Sequence, residues 1–201
     1  MRAEDVAGDT YRILVVCTGN ICRSPFAERL LRVRLDERFG AAAASVEVSS
    51  SGTWGLVDEP MQTESAETLL RYGGNPEGFA ARALSPEQIE EADLVLGLTR
   101  EHRAKVVMMS PRASARTVTL LEYARLLTGV EPADLPASAD GLPGRLRAIT
   151  ELAFSRRGYV PIADPADDDV PDPYGGKMAA YDRAAELIDA ALDVPLALLK
   201  G

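Results

Sequence analysis

The chain has 201 residues, 46% of them hydrophobic and 26% charged, with a formal net charge of −9. Such a composition fits one globular domain with a sizeable core, alone or carrying a large insertion. The negative charge argues against nucleic-acid binding, which needs clustered Lys and Arg, and makes any phosphate site a local positive feature in a negative field.

Residues 1–10 are acidic and lack the basic-then-apolar layout of a signal peptide, so a cytoplasmic location is expected. Tyr11–Cys17 (YRILVVC) is a continuous apolar run, as in a parallel strand buried on both faces. Pro25 then suits the first turn of a helix. Phe26, Leu30, Leu31 and Leu35 recur at helical spacing, predicting a helix to about Phe39, closed by Gly40. A second strand is expected over 45–51 and a helix over 63–72, ended by Gly73-Gly74. Ser85-Pro86-Glu87-Gln88 has the layout of a capping box with proline at the first helical position. A third strand follows at 94–98, then a helix opened by Thr99, and a fourth strand at 117–121. Apolar runs of this length are strand-sized and far too short to span a bilayer. The stretch 126–169 is less regular, with a Pro/Ala/Asp-rich segment at 130–143, a helix at 142–157 and an acidic run. A long amphipathic helix is expected over 178–199, frayed or ended by Pro195.

Strands alternating with helices predict an α/β fold: a doubly wound, four-stranded parallel sheet with helices on both faces. The whole chain, 1–201, reads as one domain, with 126–169 as an insertion or extended region.

The chemistry concentrates in Cys17-Thr18-Gly19-Asn20-Ile21-Cys22-Arg23-Ser24, between a buried strand and a helix N-terminus. Ligands bind at the carboxyl ends of strands in such sheets. Successive backbone N–H groups in a loop of this kind form an anion nest, and the positive end of the helix adds to it. Gly19 is expected to take a backbone conformation that other residues resist. Arg23 can donate two parallel hydrogen bonds to phosphoryl oxygens and cannot lose its charge. Cys17 sees all these dipoles, which favour its thiolate over its thiol. The loop lacks the G-x-x-x-x-G-K-[ST] pattern of nucleotide-binding loops. The only other cysteine is Cys22 and the only histidine His102, so the three together supply at most three zinc ligands, and no metal site is expected.

The full string, with Pro25 and Ala27-Glu28 behind it, resembles the low-molecular-weight protein tyrosine phosphatases, whose loop reads C-x-G-N-x-C-R-S-P after the first strand. The resemblance extends over 11–121 and 172–199. It implies a phosphotyrosine protein as substrate, inorganic phosphate as product, a phosphocysteine intermediate and no cofactor. It places the general acid in an Asp-Pro-Tyr motif ahead of the last helix, here Asp172-Pro173-Tyr174. Asp164-Pro165 is a rival without a following aromatic, and neighbouring carboxylates favour the protonated form of Asp172. The other acids, Asp167, Asp168 and Asp169, read as a solvated loop.

The resemblance further implies that Asn20, Ser24 and Ser50 support the loop. Thr18, Gly19, Asn20, Ile21, Cys22 and Ser24 are then the substrate-side loop residues, Tyr174 of the acid motif flanks an entering ring, and Trp54 either flanks it too or packs in the core. Ile21 favours an aryl ester, because members acting on phosphoarginine tend to carry a smaller polar residue there. Cys22 is either a small buried residue or a partner for Cys17 in a reversible protective disulfide. A bracing histidine in an H-x-A-R pattern is replaced by Phe79 (Phe79-Ala80-Ala81-Arg82), and His102 is expected at the surface. Two alternatives stand beside phosphatase activity. One is arsenate reduction with an external small thiol, since no cysteine follows Cys22. The other is a non-catalytic phosphate- or phosphopeptide-binding module, which would need neither nucleophile nor acid.

Overall fold

The apolar run at the start of the chain becomes the centre of a parallel sheet in the computed structural model, which describes residues 10–136 and 139–199. Positions 1–9, read above for leader features, and 137–138 of the Pro/Ala/Asp-rich segment lie outside the described residues. Strand β1 (Tyr11–Cys17) pairs in parallel with β2 (Val46–Gly52) on one side and β3 (Leu94–Gly97) on the other, and β4 (Thr117–Thr119) follows, giving the order β2-β1-β3-β4. Alternate residues of β1 feed two cores. Ile13 and Val15 pack with helices α1 (Arg23–Phe39), α5 (Leu120–Leu127), α6 (Gly141–Ser155) and α7 (Met178–Leu198). Leu14 and Val16 face the other side, with Ile89 of α3 (Pro86–Glu91) and Val106 of α4 (Arg100–Met109). The remaining helix, α2 (Thr63–Arg71), packs against α1 and α7. Helices on both faces explain why β1 is apolar from Ile13 onward, where each alternate side chain is taken from water. Arg12 at its start stays partly exposed and pairs with Glu47.

Local signals account for the boundaries. The capping box of α3 forms, with Gln88 N–H donating to Ser85 Oγ (3.4 Å) and Ser85 N–H to Gln88 Oε1 (3.0 Å). Thr99 caps α4 by accepting from His102 N–H.

Two expectations change. Strand β4 stops at Thr119, whose hydroxyl accepts from Glu122 N–H (3.1 Å) and so starts α5 where 117–121 was read as strand. Helix α7 continues through Pro195 to Leu198. Proline there costs one late-turn hydrogen bond, and Leu196 and Leu198 are buried beyond it, so packing wins. The irregular 126–169 stretch contributes to the main core through α6, which buries Leu142, Leu146, Ile149 and Ala153. Thr150 Oγ1 of that helix lies 2.7 Å from Tyr11 Oη and 3.0 Å from Tyr123 Oη, at the starting end of β1. No helix among the described residues is long and apolar enough to cross a membrane.

Candidate active site

Strands are added on one side of β1 (β2) and then on the other (β3, β4), so the crevice at the carboxyl ends of β1 and β3 is the topological switch point of the sheet. Cys17 ends β1 there, and the next five residues curl back to the start of α1. The carbonyls of this loop point outward into the fold. Cys17 O accepts from Thr53 N–H, Thr18 O from Trp54 N–H, Gly19 O from Leu56 N–H and Ile21 O from Gln62 N–H, at 2.8–3.0 Å. Among the described residues, the N–H groups of Thr18 to Ser24 donate to no backbone carbonyl. Carbonyls turned out and amides turned in make an anion nest, and the first turn of α1 adds its positive end.

The left-handed backbone position that allows this curl is Asn20 (φ 56°), where Gly19 was expected. Asparagine tolerates that region because its short side chain can be bonded in place. Asn20 is fully buried. Its Nδ2 donates to Ser24 Oγ (2.9 Å) and Ser50 Oγ (2.8 Å), and its Oδ1 accepts from Arg82 N–H (2.7 Å). Ser24 Oγ in turn lies 2.9 Å from Cys17 Sγ. Ser50 donates to Glu28 Oε2 (2.5 Å), which also pairs with Arg82 Nη2 (3.2 Å). Arg82 therefore supports the loop with both backbone and side chain, while Phe79 is buried with the Arg29 guanidinium over its ring. Glu28 and Arg82 were visible in sequence only as parts of family motifs. Gly52 lets β2 press against the loop, since a Cβ there would come within 2.5 Å of Thr18 O.

Arg23 is 4% exposed and ties the loop to the acid segment. Its Nη1 donates to Val170 O (3.0 Å) and its Nη2 contacts Asp172 Oδ2 (2.9 Å), while Nε is buried with no partner. Nε and the second Nη2 hydrogen are left for an anionic acceptor. Asp164 instead caps a short 3-10 turn through Ala166 N–H (2.8 Å) and does not line the cleft. The acidic run is only partly a solvated loop: Asp164 and Asp167 are exposed, Asp168 and Asp169 are not. Asp168 is 7% exposed and held by two bonds from Arg125, and Asp169 is held by Arg100. Burial pushes the Asp169 carboxyl up, but hydrogen bonds from the Arg100 side chain and backbone outweigh it and hold Asp169 below the usual carboxylate range. Two of the carboxylates expected to crowd Asp172, Asp168 and Asp169, thus carry arginine partners of their own.

A cleft of about 340 Å³ opens over the loop, lined by Cys17, Thr18, Gly19, Ile21, Cys22, Arg23, Trp54, Leu56, Asp172 and Tyr174. Trp54 (76% exposed) and Tyr174 (63%) stand at its mouth. Leu56 was not anticipated; nothing marks one leucine in a Gly/Asp-rich turn. Cys22 is buried and reduced, and burial, then Cys17, push its thiol up to about 12. The expectation for His102 fails. It is 3% exposed, with Nε2 3.0 Å from Thr18 Oγ1 and Nδ1 2.9 Å from Thr99 Oγ1. Burial and then the charge of Arg23 lower it to about 4, so the ring is neutral.

Residues 12–137 match the family described as Low molecular weight phosphotyrosine protein phosphatase. The chain is 42% identical over 106 residues to the Low molecular weight protein-tyrosine-phosphatase Etp of Escherichia coli (strain K12), covering 53% of this chain and 66% of that protein, just under two thirds of it. Identity to the Low molecular weight protein-tyrosine-phosphatase of Streptomyces coelicolor is 29% over 183 residues, 90% of this chain and 89% of that one. The solved structure of YwlE arginine phosphatase from Geobacillus stearothermophilus matches with a TM-score of 0.63 at 26% identity, covering 93% of this chain and 90% of that one.

Proposed function

The chain belongs to the low molecular weight phosphotyrosine protein phosphatase family, and on that premise we propose that it hydrolyses phosphotyrosine in proteins through a phosphocysteine intermediate. The observation that carries the reading is the bridge made by Arg23, which joins the nucleophile's loop to the Asp172 carboxylate across one guanidinium.

In the first step the Cys17 thiolate attacks phosphorus. The S–P bond forms, the P–O bond to the tyrosyl oxygen breaks, and Asp172 delivers its proton to that oxygen. In the second, water attacks phosphorus and gives its proton to Asp172, while the S–P bond breaks and the electron pair returns to sulfur. Ser24 Oγ, 2.9 Å from Cys17 Sγ, stabilises the departing thiolate. The nest amides and Arg23 hold the non-bridging oxygens throughout, so positioning and charge stabilisation do most of the catalysis. Trp54 and Tyr174 flank the entering ring and Ile21 meets its face.

The mechanism needs Cys17 reduced, which fits a cytoplasmic location. The likeness to an arginine phosphatase supports a second reading, phosphoarginine hydrolysis by the same nucleophile, against which the apolar Ile21 weighs.

Wild type should hydrolyse p-nitrophenyl phosphate and Cys17→Ser should not. Asp172→Ala should lose about a hundredfold or more on phenyl phosphate, whose leaving group needs the proton. Release of phosphate from phosphotyrosyl peptides but not phosphoarginyl peptides selects the first reading. The reverse selects the second, and an inert wild type discards both.

A further inference from the structure

Nucleophile and acid sit on loops 155 positions apart in sequence, and one short corner touches both. Strand β3 hydrogen-bonds to β1 up to Leu98, whose N–H donates to Val16 O (2.8 Å) one residue before the nucleophile. Thr99 then caps α4, and the turn is so tight that a Cβ on Gly97 would approach Arg103 N to 2.9 Å.

Two arms leave this corner. Toward the nucleophile loop, His102 reaches Thr18 Oγ1 through Nε2 (3.0 Å). On its other side the ring meets Thr99 Oγ1 through Nδ1 (2.9 Å), and the same oxygen accepts the His102 backbone N–H (3.3 Å). The neutral ring thus bridges the two hydroxyls, donating to one and accepting from the other. Toward the acid loop, Leu98 O accepts Val170 N–H (2.8 Å), and Arg100 grips Asp169 with its backbone N–H (2.7 Å to Oδ1) and its guanidinium (2.9 and 3.1 Å to Oδ2). Asp172 lies three residues beyond Asp169, between Pro171 and Pro173, whose fixed φ angles carry the anchorage forward to the carboxyl.

We propose that this corner, from Leu98 through the first turn of α4, sets the position of Asp172 relative to Cys17, with His102 and Arg100 as positioning residues. The inference rests on the phosphatase reading above. Neither side chain touches the reacting atoms; each acts through a partner, Thr18 or Asp169. A displacement of about 1 Å at a catalytic group can cost a hundredfold, so a two-armed strut is enough to govern rate.

The two arms leave different kinetic signatures. With kcat/KM measured from p-nitrophenyl to phenyl phosphate, Arg100→Ala and Asp169→Ala should barely change the former and lower the latter about tenfold or more. Proton delivery matters more as the leaving group worsens, so the dependence on leaving group steepens. Arg100→Lys, which keeps the charge but loses the fork, should resemble Arg100→Ala, and the double variant should be no worse than either single one. His102→Ala should lower kcat/KM for all esters by a similar factor of about ten, with His102→Gln recovering part of it by placing an amide near Nε2. Arg38→Ala, which breaks a surface pair with Asp193 on α7, should move neither readout. A wild-type leaving-group dependence in folded Arg100→Ala and Asp169→Ala, or a wild-type rate in His102→Ala, overturns the proposal while the phosphatase reading stands. An inert wild type removes both.

Discussion

A single imidazole shows how much a buried side chain owes to residues far away in sequence. His102 sits neutral among Thr18, Thr99 and Arg23, held at about 4 by burial first and by the arginine's charge second; Glu101 and Asp172 pull the other way without prevailing. Unfolded, it titrates near 6.5. The unfolded chain therefore binds more protons between those values, so the fold loses stability as pH falls through that window and regains it as pH rises. Urea unfolding of wild type and His102→Gln should diverge on going from about pH 7.5 to about pH 4.5, with wild type losing about 2 kcal/mol more. An equal loss in both would place the titration elsewhere. That Cys17, Arg23 and Asp172 meet in one cleft was legible because the setting of each is local: strand, loop and helix start for the first two, two prolines and an aromatic for the third. His102 was not, because the hydroxyl that makes it useful lies 84 positions upstream. Nor did the string Asp167-Asp168-Asp169 announce arginine partners on α5 and α4.

Elements were readable where their ends carry side-chain signals. The capping box of α3 appears in sequence as it does in space, and Ser85→Ala should cost about 1 kcal/mol in thermal or denaturant unfolding. Activity should be unchanged, because α3 contributes nothing to the cleft. A similar signal was present at Thr119-Leu120-Leu121-Glu122, yet the leucine pair reads equally well as strand. Only the packing of Leu120 into the core beside Tyr123 and Leu126 decides for helix. Pro195 misleads in the opposite sense: the local rule ends α7, whereas burial of Leu196 and Leu198 extends it.

Across the whole molecule the sheet separates labour between its two ends. The carboxyl ends of β1 and β3 carry the cleft, while the starting end of β1 is closed by α6 through the Tyr11–Thr150–Tyr123 hydroxyl cluster. Thr150→Val keeps the shape and strips the hydrogen bonds from two buried phenols, so it should destabilise the protein by about 2–3 kcal/mol. Its kcat/KM should match wild type at temperatures where it remains folded, and a specific kinetic loss would mean the two ends are coupled. The outward carbonyls and inward amides of the Cys17–Ser24 loop have a broader consequence. Under the proposed function most of the grip on phosphate comes from main chain, which substitution of side chains leaves largely in place. On that reading, Ile21, Trp54, Leu56 and Tyr174 around the mouth, rather than the socket beneath, set which phosphorylated side chain can enter.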